Sequence, residues 1–345
     1  MKQKKLYNVA VLGATGAVGR EMIKVLAERK FPIGELRLLA SARSAGKAVR
    51  YEGREVVIQE ACDAAFEGMD IVLGAAENDI AKRFAPAIQA AGAVFVDNSS
   101  AFRLDPDVPL VVPEINAEDA YTHKKGIIAN PNCSTIITLM ALAPIARISS
   151  IETIVASTYQ AVSGAGANGL TELEAQAQAY PKGEPLTANA FPHQILFNLL
   201  PRIGGIGENG YSSEEMKLQN EGRKILHLPE LRVTCTCVRV PVMRSHSISA
   251  TFTTKRPVSV EEARAAIAAA EGVQLVDNPN NDVYPMPLDT SDQDDVFVGR
   301  IRRDLVSENG LTLWCCGDQI RKGAATNAVQ IGEWAWQNGL LKKGV

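Results

Sequence analysis

The stretch Leu6-Tyr-Asn-Val-Ala-Val-Leu-Gly13-Ala-Thr-Gly16-Ala-Val-Gly19 joins a strand to a helix through three glycines. Its first part is an apolar run, interrupted only by Asn8, of the length and character of a buried strand. Three glycines follow at once, and Val18, Met22, Val25 and Leu26 then mark one face of a helix that ends near Phe31-Pro32. Glycines between a strand and a helix permit a tight turn and let backbone N–H groups approach a pyrophosphate, whose charge the helix N-terminus stabilises. The loop from Gly13 to Gly19 is therefore a candidate dinucleotide-binding turn.

Strand-like runs recur at Leu36–Ala40, Val56–Gln59, Asp70–Leu73, Val94–Asp97, Leu110–Val112 and Ile127–Ala129, with a helix carrying Ile80, Phe84 and Ile88 on one side between Asp70–Leu73 and Val94–Asp97. Alternating elements of this kind predict an α/β, doubly wound, Rossmann-type parallel sheet. The pattern changes after Asn130. An apolar helix at Ser134–Ala143 leads to a strand at Glu152–Thr158 and a Gly-rich loop from Ser163 to Gly169. Alternation over 231–255, 295–303 and 311–317 predicts an α+β region with a largely antiparallel sheet. Pro- and Gly-rich stretches at 181–211 read as surface loops, and a last helix at Ala324–Leu340, with Val329, Ile331, Trp334 and Trp336, is suited to pack on the first domain. The expected division is 1–130, completed by 324–345, and 131–323. A chain of 345 residues is in any case close to the limit for a single core, and about two domains are expected.

With 46% apolar and 22% charged residues and a formal charge of −3, the chain has a globular composition, not a disordered or fibrous one. It lacks the basic stripe needed to displace phosphate counterions, so no nucleic-acid partner is expected. No run approaches the ~20 apolar residues of a membrane span. Lys2, Lys4 and Lys5 ahead of an apolar run resemble the start of a signal peptide, but the glycines stand where a cleavage region would be, and a first strand fits better. The cysteines at 62, 133, 235, 237, 315 and 316 include no C-x-x-C pair, and the histidines at 123, 193, 227 and 246 have no ligand spacing. Neither a disulfide framework nor a metal site is expected, and a reducing, cytoplasmic setting is.

Two further features carry chemistry. The second strand ends in Ala40-Ser-Ala-Arg43-Ser44 without the carboxylate that holds a ribose 2′-OH, and Arg43 with its serines suits a 2′-phosphate, so NADP is the expected cofactor. Cys133, in Asn130-Pro-Asn-Cys-Ser-Thr135, opens the apolar helix. A helix N-terminus stabilises a thiolate, which makes Cys133 the candidate nucleophile, while the other five cysteines sit in apolar contexts where burial is expected. A thiol beside a nicotinamide site can add to an aldehyde and yield a thioester after hydride transfer.

Together with Ser157-Thr-Tyr-Gln-Ala-Val-Ser-Gly164, Arg239-Val-Pro-Val-Met-Arg-Ser-His246 and Gly317-Asp-Gln-Ile-Arg-Lys-Gly323, the glycine and cysteine motifs resemble those of bacterial aspartate-semialdehyde dehydrogenase, over about residues 6–340. The resemblance implies a fold like that of glyceraldehyde phosphate dehydrogenase, with a catalytic and dimerisation domain after the nucleotide domain. It implies NADPH-dependent reductive dephosphorylation of L-aspartyl-4-phosphate by cytoplasmic homodimers or homotetramers, feeding lysine, threonine, methionine and isoleucine synthesis. In it Cys133 matches the nucleophile, Gln160 the residue that orients the substrate, and His246 the general acid/base that services the thiol and the hemithioacetal oxygen. Arg239 matches the clamp on the substrate carboxylate, and Arg103 and Lys217 match phosphate-binding cations. Either Glu214 or its neighbour Glu215 would meet the substrate ammonium. Thr15, Gly16, Ala17 and Val18 would lie under the pyrophosphate, Arg43 and Ser44 at the 2′-phosphate, and Ser163, Gly164 and Gln319 near the nicotinamide. The chain is shorter than the enteric type, which points to another bacterial subgroup.

Acetylglutamyl-phosphate reductase shares the reaction type and is the nearest alternative. Glyceraldehyde phosphate dehydrogenase would show Ser-Cys-Thr-Thr-Asn at the nucleophile, which is not found here. A short-chain reductase could use Tyr121-Thr-His-Lys-Lys125, but that segment lacks an apolar helix face. A non-catalytic NADP-binding regulator would have no use for Cys133, Gln160, Arg239 and His246 together.

Overall fold

A computed structural model of the chain describes residues 6–341. The three lysines ahead of the first strand and the last four residues of the expected C-terminal segment lie outside that range. The chain forms two compact units, Met1–Pro131 with Ala324–Val345, and Asn132–Gly323.

In the first unit β1 (Tyr7–Leu12) is followed by α1 (Ala17–Glu28), β2 (Ile33–Ala40), β3 (Ala48–Tyr51), β4 (Arg54–Glu60), β5 (Ile71–Gly74), α2 (Asn78–Ala91), β6 (Val94–Asp97), the short α3 (Pro113–Asn116) and β7 (Ile127–Ala129). The strands lie in the order β3-β4-β2-β1-β5-β6-β7. All pairings are parallel except that of β3 with β4. The hairpin strand β3 has no counterpart among the predicted runs, because Ala48-Val-Arg-Tyr51 is half-exposed and too short to show a period. β1 is central and covered on both faces, which is why Val9, Ala10 and Val11 are all fully buried. Strand order reverses at β1 and β5, so the glycine turn after β1 opens at the switch point where doubly wound sheets hold ligands.

Leu110–Val112 makes only an isolated bridge from Leu110 to Ala129. Pro109 and Pro113 bracket it and leave no length for a strand. In α2 the buried face is Ala81, Phe84, Ala85 and Ile88, whereas Ile80 is exposed.

The second unit contains α4 (Cys133–Ala146), β8 (Ile151–Gln160), α5 (Gly166–Ala179), α6 (Ser213–Ile225), β9 (Arg232–Arg239), β10 (His246–Thr254), α7 (Val260–Ala268), β11 (Val273–Leu275), the short α8 (Pro287–Thr290), β12 (Val296–Arg303) and β13 (Gly310–Gly317). Its sheet runs β11-β12-β13-β10-β8-β9. Three pairings are antiparallel, while β8 with β9 and β11 with β12 are parallel. The strands predicted within 231–255 are thus not neighbours. β8 lies between them, and β9 reaches the sheet edge by the crossover through α6.

The expected glycine loop at Ser163–Gly169 is a 3-10 turn, Val162–Ala165, running directly into α5. The segment 181–211 is irregular but not simply superficial, since Phe191, Ile195, Leu196 and Leu200 form a small core with Val162 and Leu173. Proline and glycine mark missing regularity there, not exposure. α4 is apolar all round and buried from Ser134 to Ile145. Each large side chain buried in this way contributes about 1.5–3 kcal/mol, which anchors the helix that begins at Cys133. The last helix, α9 (Thr326–Gln337), belongs to the first unit, where Val329 and Ile331 are buried and Trp334 and Trp336 pack against the same core.

Candidate active site

Asn132 caps α4, its side-chain oxygen accepting from the N–H groups of Ser134 at 3.1 Å and Thr135 at 3.3 Å. The cap leaves Cys133 as the first helical residue, half-buried, at the positive end of a fourteen-residue helix. Gly323 packs against it, and a Cβ there would stand 2.9 Å from the Cβ of Cys133.

The strand ends supply the next residues. Gln160 closes β8 and Arg239 closes β9, paired across the parallel register, so both side chains emerge on the α4 side of the sheet. Gln160 Nε2 donates to the Ser134 hydroxyl at 2.8 Å and to Glu214 at 3.2 Å. Arg239 Nη1 donates to the carbonyl of Ala161 at 2.8 Å. The N–H of the same residue donates to Nδ1 of His246, the first residue of β10, at 3.1 Å. Arg239 and His246 both point at Gly164, where a Cβ would lie 2.6 Å from Arg239 Nη1 and 3.1 Å from His246 Cε1. Gly164 is thus required by space, a reading its place in a turn does not reveal.

α6 turns the two glutamates to different partners. Glu214 accepts from Asn132 Nδ2 at 3.0 Å and from Lys217 at 2.7 Å. Glu215 turns the other way, completing a capping box with Ser212 and accepting from the N–H of Cys237 at 3.2 Å. Gln219 and Arg223, spaced four and eight residues on, bond the N–H of Val233 and the carbonyl of Leu231. This stripe satisfies the exposed edge of β9. The stripe of Glu214, Lys217 and Glu221 faces the start of α4, where Glu221 accepts the N–H of Asn132 at 2.7 Å.

Burial raises the Glu214 carboxyl, but the charge and hydrogen bond of Lys217, with donors from Asn132 and Gln160, outweigh it and bring the pKa to about 2. His246 is fully buried, and burial lowers it, aided by Arg239 and opposed by Glu214, to about 3. Burial also lowers Arg239, with Cys133 and Glu214 acting in the opposite sense. Ser163 and Gln319 meet in a short hydrogen bond, and Gln319 accepts the N–H of Ser245 at 2.9 Å, next to His246. Cys133, Gln160, Ser163, Gly164, Glu214, Lys217, Arg239, His246 and Gln319 all lie within the second unit.

Arg103 and the glycine loop belong to the first unit. Arg103 is buried, donating to the carbonyls of Asn130 at 3.0 Å and Asn98 at 2.8 Å. Gly13 has φ +87°, and a Cβ there would meet the Ala75 carbonyl at 2.6 Å. A Cβ on Gly19 would meet the Gly13 carbonyl at 2.2 Å. Gly16 caps α1 with space beside it, and Thr15, Ala17 and Val18 complete the turn. A backbone-lined turn at a helix N-terminus fits a pyrophosphate. Arg43 is exposed in the turn after β2, and Ser44 N–H bonds the Ser41 carbonyl at 2.8 Å. Tyr121 and Lys125 form no reductase pair, since Tyr121 stacks edge-on against Trp334 and Lys125 bonds Asp105 at 2.7 Å.

Cys62 is exposed, contrary to the expectation of burial, because it lies in the short link between β4 and the 3-10 turn Asp63–Phe66, outside the strand. Asn132, Ser134, Ala161, Glu221 and Gly323 were not singled out by their sequence. Asn132 was readable as an N-cap ahead of an apolar helix, whereas Ala161 contributes only its peptide. No group of three or more His, Cys, Asp or Glu residues that could hold a metal ion occurs among the described residues. No helix among them is long and apolar enough to cross a membrane.

Residues 8–123 match the model of the semialdehyde dehydrogenase NAD-binding domain, and residues 142–322 that of the semialdehyde dehydrogenase dimerisation domain. The chain is 51% identical over 333 residues to the aspartate-semialdehyde dehydrogenase of Synechocystis, covering 96% of this chain and 98% of that protein. It is 51% identical to that of Aquifex aeolicus, covering 97% and 99%. Among solved structures, aspartate semialdehyde dehydrogenase II of Vibrio cholerae complexed with ASA superposes with a TM-score of 0.95 at 42% identity, covering 97% of this chain and 99% of that one. The Candida albicans aspartate semialdehyde dehydrogenase with NADP gives 0.73 at 25% identity, covering 97% and 100%. The chain belongs to the aspartate-semialdehyde dehydrogenase family.

Proposed function

We propose that the chain reduces L-aspartyl-4-phosphate with NADPH to L-aspartate 4-semialdehyde and phosphate through a thioester on Cys133, as a cytoplasmic homodimer serving lysine, threonine, methionine and isoleucine synthesis. The observation that carries this reading is the cluster in the second unit, with a cysteine at the N-terminus of a buried helix and Gln160, Arg239 and His246 arranged around Ala161 and Gly164. The relatives of the same name, matched over nearly their full length, support the substrate.

Cys133 is the nucleophile, its thiolate stabilised by the α4 terminus and by the charge of Arg239. Arg239 is the planar donor suited to the substrate α-carboxylate. Glu214, ionised beside Lys217, is suited to the substrate ammonium, and Gln160 orients the substrate from between Ser134 and Glu214. Lys217 and Arg103 are the proposed phosphate cations. Of these, Lys217 already pairs with Glu214 and Arg103 already bonds backbone carbonyls, so each would share its donors. When bound, the dinucleotide supplies the hydride. Gly13 and Thr15–Val18 would hold its pyrophosphate, Arg43 and Ser44 its 2′-phosphate, and Ser163, Gly164 and Gln319 its nicotinamide end. NADP is favoured by the arginine in place of a carboxylate after β2 and by the fungal relative with NADP. The nucleotide domain of this reading is 1–130 with 324–345, and the catalytic and dimerisation domain is 131–323.

Self-association is supported by the match to a dimerisation domain and by the face of the second sheet opposite α4. There Val155 is exposed, Thr251 is half-buried and the tilted rings of Tyr159 and Trp314 pack with centroids 5.4 Å apart. Free thiols at all six cysteines fit a reducing compartment. The test is phosphate-dependent reduction of NADP+ by aspartate semialdehyde, compared with acetylglutamate semialdehyde. Turnover of the acetylated substrate alone would transfer the chain to the alternative.

A further inference from the structure

We propose that a cavity on the open face of the second sheet, lined by Arg300, Arg302, Tyr284, Met286 and Trp314, is a binding site for a small carboxylate with a planar, apolar body. The site is separate from the Cys133 cluster, and the inference does not rest on the substrate assigned above.

A bulge in β12 builds the site. β12 pairs with β13 through Gly299 opposite Trp314 and again through Arg302 opposite Thr312, so that Arg300 and Ile301 together stand against Leu313 alone. Arg300 has φ +55°, a conformation that long side chains rarely adopt. The hydrogen bond from its N–H to Asp277 Oδ1, 2.7 Å long, secures that turn. Gly299 lets the strand press against the neighbouring segment, since a Cβ there would meet the Val276 carbonyl and stand 2.8 Å from Pro285 Cδ. The bulge thereby brings both arginines to the wall of a cavity of about 380 Å³.

These two cations have no counterion. Asp277, the carboxylate beside them, is already engaged by Arg264 and by the N–H groups of Arg300 and Ile301. Arg302 Nη1 donates to the Arg300 carbonyl at 2.7 Å, and neither guanidinium forms an ion pair among the described residues. Burial and the charge of Arg300 both lower the Arg302 pKa, with Asp277 acting in the opposite sense. Two planar forks held together in this way offer paired donors to a carboxylate.

The remaining wall is apolar. Trp314 is fixed by its indole N–H, which donates to the Pro285 carbonyl at 2.9 Å, and Tyr284, Met286 and Pro287 complete the lining. A concave, mostly apolar space with a few convergent polar groups is the form of a small-molecule site. An inorganic anion would leave the apolar wall uncovered, and a neutral apolar molecule would leave the arginines unpaired. Ser249, the cross-strand partner of Trp314, lines the same cavity and points away from the buried side chains of Ile248 and Ala250. The cavity therefore lies on the face of the sheet opposite α4 and Cys133.

The test titrates benzoate into the full chain carrying Trp334→Phe and Trp336→Phe, in which Trp314 is the one tryptophan left, and follows its fluorescence. Benzoate should change the emission saturably, and benzamide, its neutral isostere, should bind at least about tenfold more weakly. Arg300→Gln and Arg302→Gln should each weaken benzoate about tenfold and leave benzamide unaffected. Calorimetry on the chain with all three tryptophans, with and without each arginine substitution, makes the same comparison should the double Phe variant fail to fold. Equal binding of benzoate and benzamide, or benzoate binding unchanged in both arginine variants, would overturn the proposal. So would displacement of benzoate by aspartate semialdehyde, which would move the probe to the Cys133 cluster. A shift from dimer to monomer in the arginine variants, with no benzoate response in the unsubstituted chain, would give the cavity to a second copy of the chain and overturn it as well.

Discussion

Lys217 lies 2.7 Å from Glu214, one turn away on α6, and holds ionised a carboxylate that burial alone would neutralise. Because the folded pKa of Glu214 is depressed from 4.5 to about 2, its contribution to stability is fully present above pH 4.5 and is lost as pH falls toward 2. Lys217→Met removes the compensating charge. With the lysine 29% exposed and the glutamate 10%, the loss lies between the surface and buried limits, at about 2 kcal/mol near neutral pH. Urea unfolding at a series of pH values checks both points. In the variant the acid-induced loss should begin at higher pH, and an unchanged profile would remove Lys217 as the cause.

Thiol labelling should resolve two accessible cysteines rather than one. Cys62 is exposed and Cys133 half-buried, while Cys235, Cys237, Cys315 and Cys316 are buried. Burial holds the Cys315 thiol well above its ordinary pKa and pushes Cys316 up to about 12. Cys62→Ser should keep full activity and leave a single fast-alkylating site. That site should be protected by aspartate semialdehyde, with inactivation following its modification one for one, as peptide mapping by mass spectrometry can show. Cys133→Ala should lose at least about a thousandfold in kcat.

The three loop glycines should not respond alike to alanine. A Cβ on Gly13 or Gly19 would collide with backbone oxygen at 2.6 and 2.2 Å, whereas on Gly16 it would rest at 3.5 Å from the Gly13 carbonyl. Gly13→Ala also bears the strain of φ +87°. Both clashing variants should lose about 1–3 kcal/mol of stability. Gly16→Ala should fold normally, and NADPH fluorescence titration then reports only how closely the pyrophosphate approaches position 16.

The βα unit at Leu6–Leu26 was legible because its signals, a buried run, glycines and a helical period, are local and agree. The place of Cys133 at the start of an apolar helix was legible for the same reason. The order of β8, β9 and β10 was not, because pairing in the second sheet depends on a crossover of more than seventy residues rather than on any one strand's pattern. Glu214 and Glu215 have the same side chain one position apart, and only the opposed stripes of α6 separate them. Ala161, which orients His246 and holds Arg239, acts entirely through its peptide group and has no signature in composition or spacing.

Arg43 should govern the choice between the two nicotinamide dinucleotides. Its side chain is exposed after β2, and the strand ends in Leu39-Ala40-Ser41 with no carboxylate to hold a free 2′-OH. A charge-assisted contact to the 2′-phosphate is worth about 1.5–3 kcal/mol, so Arg43→Ala should lower kcat/KM for NADP about 10–100-fold with little effect on NAD. Equal losses for both dinucleotides would assign Arg43 to the fold instead.

Self-association should depend on the open face of the second sheet. Val155 is 55% exposed on β8, opposite Thr251 on β10 and Thr234 on the edge strand, and the Tyr159–Trp314 pair lies on the same face. A flat array of valine, threonine and aromatic side chains is what a second sheet can cover, and a charge at its centre would be buried without a partner. Val155→Asp should therefore shift sedimentation velocity from dimer toward monomer. Because position 155 points away from α4, urea unfolding of the monomeric variant should show its core intact. A variant that remains dimeric would place the interface elsewhere on the domain.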